Sequence, residues 1–297
     1  MTEGTNTQRD IEFRSGTVTV RGWLRTPEGA GPHALVILAH GLGGLKEWTI
    51  PDVAASLNDA GIAALAFDYR NFGDSEGEPR EEVDHAGQIE DWRNAVTFAT
   101  TLPDIDTSRI GLWGTSLGAR NVLAAAALDH RIRCVYAQVP PLSASPEMVA
   151  MMLGATSVEE ADRIVNDDLH DRASGLEPKY VYFPTDANTE HGSYWATFGE
   201  AEKRNWNPRV TVRSFAPALA DDITPLLSKI APTPVLLVVA DGDVFCPPDA
   251  SQAAFELLGE PKELMVVNGH HYSVYTEWKD RTTAAARDWF IKHLRTA

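Results

Sequence analysis

The stretch that decides the fold is Ile110-Gly111-Leu112-Trp113-Gly114-Thr115-Ser116-Leu117-Gly118. An apolar run, 110–113, enters a G-x-S-x-G pentapeptide. The alanine-rich, helix-prone stretch 117–128 follows at once. A strand that turns this sharply into a helix holds the serine in a strained backbone conformation. It needs small residues two before and two after. The turn projects the Ser116 hydroxyl above the sheet edge and turns the Leu117 N–H toward the same space. An incidental serine in a βα turn is the bland alternative, and the order strand, elbow, helix argues against it.

Outward from this turn, apolar runs alternate with helix-like stretches. Runs at 35–39, 62–67, 133–139, 234–240 and 264–267 are continuous in Val, Ile, Leu and Ala, as strands covered on both faces require. Residues 11–14 and 18–24 alternate apolar and polar around Ser15-Gly16, the pattern of half-exposed antiparallel strands. Helices are predicted over 51–60, 84–100, 117–128, 249–258 and 278–294, with Gly61 and Gly259 as stop signals. Strands alternating with helices give an α/β fold, a mostly parallel doubly wound sheet with an antiparallel N-terminal edge. Residues 140–230 break the rhythm. They are helix-prone over 146–153 and 158–173, then loop-like and aromatic through 180–207. The predicted organisation is a core of 1–139 and 231–297 with a cap inserted at 140–230.

The composition narrows the function. In 297 residues there are 26 Lys plus Arg and 42 Asp plus Glu, so the formal net charge is −16. That balance disfavours nucleic acid and anionic membrane surfaces as partners and leaves a small molecule as the expected one. The 2 cysteines, Cys134 and Cys246, exclude a disulfide scaffold and cannot alone form a structural zinc site. Residues 1–10 are polar, without the apolar core of a secretory leader, and the longest apolar runs are too short to span a bilayer. A cytoplasmic protein is expected. Oligomeric state is not readable.

A serine hydroxyl is a poor nucleophile until a base takes its proton. Gly269-His270-His271-Tyr272 follows one late strand and Asp241-Gly242-Asp243 follows the strand before it. The chain order Ser, Asp, His suits this fold. The residues alone leave two histidines and two aspartates open. Ala39-His40-Gly41-Leu42-Gly43-Gly44 follows an early strand and fits neither phosphate-cradle spacing. It suits an oxyanion hole, with the Leu42 N–H as partner to that of Leu117. His40 reads as structural, holding its loop by a hydrogen bond.

These residues resemble the α/β-hydrolase superfamily, in its serine-nucleophile branch near dienelactone-hydrolase-like and prolyl-dipeptidyl-peptidase-like proteins. Bacterial esterases and fungal polyketide transferases belong to that branch. The resemblance rests on His40-Gly41-Leu42-Gly43-Gly44, on the stretch 67–77, on Gly114-Thr115-Ser116-Leu117-Gly118, on 243–247 and on His271-Tyr272-Ser273-Val274-Tyr275. The family's acid opens a D-x-x-x-P stretch, which implies Asp243 over Asp241. Its base opens H-F-D-x-Y, which implies His271 over His270, with Tyr272 and Ser273 as departures. True dienelactone hydrolases use a cysteine where this chain has Ser116, so their substrate does not carry over.

The remaining candidates are softer. Asp68 and Arg70 read as a loop-fixing ion pair. Met148, Met151 and Met152, with Tyr194, Trp195 and Phe198, are candidates for a substrate pocket under the cap, since flexible apolar and aromatic side chains suit an acyl group. His85, His130, His170, His191 and His293 lack ligand spacing, so no metal and no cofactor is expected. The resulting expectation is a serine hydrolase acting on a carboxylic ester, lactone or thioester. Acyl transfer, amide or C–C bond cleavage on the same triad, and a non-catalytic small-molecule binding protein are the alternatives.

Overall fold

The central apolar runs form adjacent strands because each is apolar along its whole length, leaving no polar face to turn toward water. The computed structural model describes residues 7–142, 144–216 and 222–295. Residues 1–6 of the N-terminal stretch read above, and residues 143 and 217–221 of the expected cap, lie outside these. Eight strands make one sheet: β1 (Thr7–Ser15), β2 (Val18–Thr26), β3 (His33–Ala39), β4 (Ala63–Phe67), β5 (Ile105–Thr115), β6 (Ile132–Gln138), then Val235–Ala240 and Lys262–Val267. Two short strands intervene in the chain, β7 (Tyr180–Tyr182) and β8 (Arg209–Thr211), so the last two strands of the sheet are β9 and β10. The sheet order is β1-β2-β4-β3-β5-β6-β9-β10. β1 pairs antiparallel with β2 and β2 antiparallel with β4, while the other pairs are parallel. This is the α/β-hydrolase architecture with the expected antiparallel edge.

Helices fill the connections. α1 (Ile50–Asp59) starts with Pro51 inside its first turn, where a missing N–H costs nothing, and is followed by Gly61 at φ 77°. α2 (His85–Ala99) is capped by Asp84, whose carboxylate accepts from the Gly87 N–H. α3 (Leu117–Leu128) is buried along nearly its whole length. Its run of alanines lets it lie close against β5 and β6. In the chain's second half come α4 (Pro146–Leu153), α5 (Val158–Ala173), α6 (Glu190–Trp195), α7 (Thr224–Leu227), α8 (Pro248–Leu257) and α9 (Lys279–Leu294). Gly259 does not adopt the left-handed stop conformation. A Cβ there would sit 2.6 Å from the Ala231 Cβ, so it is the approach of two loops that requires glycine.

Residues 140–230 run between β6 and β9 and contain α4 to α7 together with β7 and β8, which pair antiparallel. β7, β8, α6 and α7 were not legible, since segments of three to six residues carry too few positions for a periodicity to emerge. This segment is fastened to the sheet-borne loops by an aromatic cluster around fully buried Trp48. The Trp195, Trp206 and Phe198 rings lie 4.4, 4.9 and 5.1 Å from it. The Trp48 indole donates to the Glu202 carbonyl and the Trp206 indole to the Gly43 carbonyl. The ion pairs Arg172–Glu82 (2.6 Å) and Arg209–Glu81 (3.1 Å) tie its other end to the loop before α2. Asp68 and Arg70 do not pair with each other. Lys46 donates to Asp68 at 2.7 Å and Arg70 donates to Asp91 at 2.7 Å, so each fixes a separate loop.

Candidate active site

Ser116 stands between β5 and α3 at φ 52°, ψ −127°, a conformation that a side chain adopts only when the surroundings impose it. Its N–H donates to the Gln138 carbonyl at 2.8 Å, pinning the turn to β6. The two flanking glycines are needed for different reasons. A Cβ on Gly114 would lie 2.3 Å from the Gly118 carbonyl oxygen, and one on Gly118 would lie 2.5 Å from the His40 carbonyl oxygen. The first keeps the elbow tight. The second lets the loop after β3 lie against it.

His271 begins the short 3-10 turn His271–Tyr275 after β10. Its loop is over-determined. Asp241 accepts from the Gly269 N–H at 2.9 Å, the His270 ring accepts from the Tyr272 N–H, and Ser273 Oγ accepts from the His270 N–H at 3.1 Å. Ser273, one of the two departures from the family pattern, therefore closes a reciprocal cap. Asp243 follows β9, almost fully buried, and its Oδ1 accepts from the Phe245 and Cys246 N–H groups at 2.8 Å each. Its Oδ2 lies 2.7 Å from His271 Nδ1. An ionised carboxylate only accepts, so Nδ1 carries the proton and Nε2 is the acceptor. Ser116 Oγ is 3.1 Å from that Nε2. The structure thus brings Ser116, His271 and Asp243 into one chain of hydrogen bonds. It puts Asp241 and His270 in supporting loop contacts instead.

His40 is buried, and its imidazole is pushed down to about 3, first by burial and then by the nearby His271. It accepts from the Gly41 N–H through Nδ1 at 2.7 Å, so its Nε2 donates to the Tyr194 hydroxyl at 2.9 Å. That hydroxyl also meets Thr49 Oγ1 at 3.1 Å. Neutral His40 therefore joins the loop after β3 to α6.

Ser116 and His271 open onto a cavity of about 150 Å³. Leu42 and Leu117 line it beside them. Leu117 is the first residue of α3, where a backbone N–H has no acceptor within the helix. Of the six apolar candidates, Met148, Met152, Tyr194 and Trp195 line the cavity and two do not. Met151 is 47% exposed, because α4 buries Val149, Ala150 and Leu153, and 151 lies two positions from both Val149 and Leu153, on the opposite side of the helix. Phe198 stacks on Trp48 behind the wall. Tyr272, the departure expected to alter the pocket beside the base, lines the cavity, and so do Arg120, His191, Phe245, Cys246 and Tyr275, which were missed. Arg120 had a signal, since it lies one helical turn beyond Ser116.

Asp243, Cys246 and His271 place three possible metal-donor atoms within 4.8 Å of one another. The set does not fit an ion. His271 Nδ1 and Asp243 already share a proton-bearing contact at 2.7 Å, and burial raises the Cys246 thiol well above its usual range, keeping its proton. No metal or cofactor is assigned here.

A family model described as the alpha/beta hydrolase fold matches residues 34–277. The chain belongs to the alpha/beta hydrolase family. Among curated relatives, a polyketide transferase, grgF, of Penicillium sp is 32% identical over 278 residues, covering 91% of this chain and 90% of that protein. A thiohydrolase of Eupenicillium brefeldianum is 30% identical, covering 97% and 95%. Among solved structures, the alpha/beta hydrolase GrgF from Penicillium sp. sh18 superimposes with a TM-score of 0.79 at 28% identity, covering 97% of this chain and 99% of that one. In this alpha/beta hydrolase, no helix among the described residues is long and apolar enough to cross a membrane.

Proposed function

We propose that the protein is a serine hydrolase that cleaves a carboxylic ester, lactone or thioester through an acyl-enzyme. The observation that carries this reading is the hydrogen-bond chain Ser116 Oγ–His271 Nε2 and His271 Nδ1–Asp243 at the wall of a cavity. In this mechanism Ser116 Oγ attacks the acyl carbon while Nε2 takes its proton. The oxyanion receives hydrogen bonds from the Leu42 and Leu117 N–H groups. The imidazolium, stabilised by Asp243, gives its proton to the departing alcohol or thiol. Water, deprotonated by the same Nε2, then releases the acid. Segment 140–230 acts as the cap that selects the acyl or leaving group through Met148, Met152, Tyr194 and Trp195. The thioester option is supported by the thiohydrolase among the relatives. A soluble small molecule is the expected partner and the cytoplasm the expected location.

Acyl transfer is the second reading, favoured by the polyketide transferase among the relatives. It uses the same acyl-enzyme and replaces water by an alcohol or amine. Turnover of a short-chain nitrophenyl ester, and its loss on treatment with a fluorophosphonate, tests the acyl-enzyme. Analysis of the products with an added alcohol separates hydrolysis from transfer. Absence of both turnover and labelling leaves a binding protein.

A further inference from the structure

Three tyrosines line the cavity, and they differ in how their hydroxyls are engaged. The Tyr194 hydroxyl is held by His40 and Thr49. The Tyr275 hydroxyl meets Thr115 Oγ1 at 2.6 Å. The Tyr272 hydroxyl has no hydrogen-bond partner among the described residues, and it is not among the sealed polar atoms either. Its ring is nevertheless fixed. It packs edge-on against His271 at 5.3 Å and touches His191 at 5.3 Å, Tyr194 at 5.2 Å and Phe245 at 6.4 Å. A packed ring in a mostly apolar wall therefore presents an O–H with no bonding partner among the described residues.

Tyr272 is 8% exposed overall and its hydroxyl is not sealed from solvent, so a substrate that covers it must supply an acceptor or leave the O–H unpaired. Burial drives this phenol well above its ordinary value, so it stays protonated and neutral and cannot serve as a base. A neutral donor discriminates between a substrate oxygen and the methylene that would replace it, because the methylene leaves the O–H unpaired.

We propose that Tyr272 is a specificity-determining residue whose hydroxyl donates to a second, neutral oxygen of the substrate, a keto, hydroxyl or ether group apart from the scissile carbonyl. The preferred substrate is then an oxygenated ester or thioester rather than a plain alkyl one. This rests on the serine-hydrolase reading. The oxygen can belong to the acyl chain or to the leaving group, and the test has an arm for each.

The acyl arm compares octanoyl-N-acetylcysteamine with its 3-oxo, 5-oxo and 7-oxo analogues. The leaving-group arm compares pentyl octanoate with 2-ethoxyethyl octanoate, in which an ether oxygen replaces one methylene. In at least one arm the wild type should favour the oxygenated member in kcat/KM. Tyr272→Phe should lower that preference by roughly three- to tenfold, the value of one neutral hydrogen bond. Because the hydroxyl has no partner among the described residues and is not sealed from solvent, thermal unfolding of Tyr272→Phe should match wild type. Equal preference in wild type and variant in both arms overturns the proposal, as does a parallel loss on every substrate, which assigns Tyr272 to packing. Failure of the underlying reading looks different: the wild type then cleaves no member of either series and takes no fluorophosphonate at Ser116.

Discussion

The loops at the ends of β5, β9 and β10 and the segment 140–230 reach the same cavity by different physical means. In the loops, each functional side chain sits within a few residues of a buried strand and is locked by backbone hydrogen bonds. Asp243 takes two N–H groups from its own loop, and Ser116 is pinned to Gln138. In the segment, helices and short strands are joined to the sheet loops by rings stacked on Trp48 and by ion pairs such as Arg172–Glu82. The first arrangement fixes atoms to the precision a proton transfer requires. The second is held by side-chain packing, which tolerates substitution and can change pocket shape without disturbing the chemistry. Under the proposed function the reaction belongs to the sheet loops, while selectivity is shared between segment 140–230 and Tyr272 beside the base.

The strongest way to break that division is to remove the nucleophile. Ser116→Ala should lower kcat on an activated ester by about a thousandfold or more while the circular dichroism spectrum stays native. Unchanged turnover would end the serine-hydrolase reading. Next come the neighbouring pairs. His271→Ala should match Ser116→Ala and exceed His270→Ala. Asp243→Asn should lower kcat more than Asp241→Asn, because only Asp243 touches the imidazole. Reversal of either pair in steady-state kinetics would move the site to the other member.

Stability sharpens the comparison from the other side. Tyr194→Phe removes the hydroxyl that His40 and Thr49 share across the two regions, and should cost about 1–3 kcal/mol in denaturant unfolding at pH 7. His40 and His191 are held neutral in the fold, pushed down to about 3 and about 4, in both cases first by burial. The unfolded chain binds those protons below about pH 6.5, so it holds more protons than the native state between there and pH 4. Stability is therefore fully present above about pH 6.5 and falls on acidification. Each such histidine contributes a slope of about 1.4 kcal/mol per pH unit at its limit. Replacing His191 by Phe should flatten the measured slope between pH 6 and 4.5, and an unchanged slope would show that its imidazole is charged in the fold. The smallest effect belongs to the methionines. Met152→Ala should shift relative kcat/KM along an ester chain-length series by a few-fold, at about 0.8 kcal/mol per buried methylene. Met151→Ala, on the outer face of α4, should leave the profile parallel to wild type.

The two regions also differed in how far they could be read in advance. In the core, expected and observed elements agree to within a few residues. The run at 234–240 is β9 at Val235–Ala240, and 117–128 is α3 at Leu117–Leu128. Continuous apolar runs and a strand-elbow-helix pattern are local signals, written in consecutive residues. In segment 140–230 only α4 and α5, the two longest helices there, were legible. The aromatic cluster was visible as composition. Its partner Trp48 lies far away in the chain, and no periodicity links the two.

The sequence by itself determined the fold, the strained serine and the two-candidate windows for base and acid, because each depends on a pattern of neighbours. Only the tertiary structure brought His271 within 3.1 Å of Ser116, turned Met151 to solvent, separated Asp68 from Arg70 and left one of three cavity tyrosines with a hydroxyl unbonded among the described residues. Those outcomes depend on which side chains distant segments bring together. Hydrogen bonding and burial are settled by what lies opposite a residue in space.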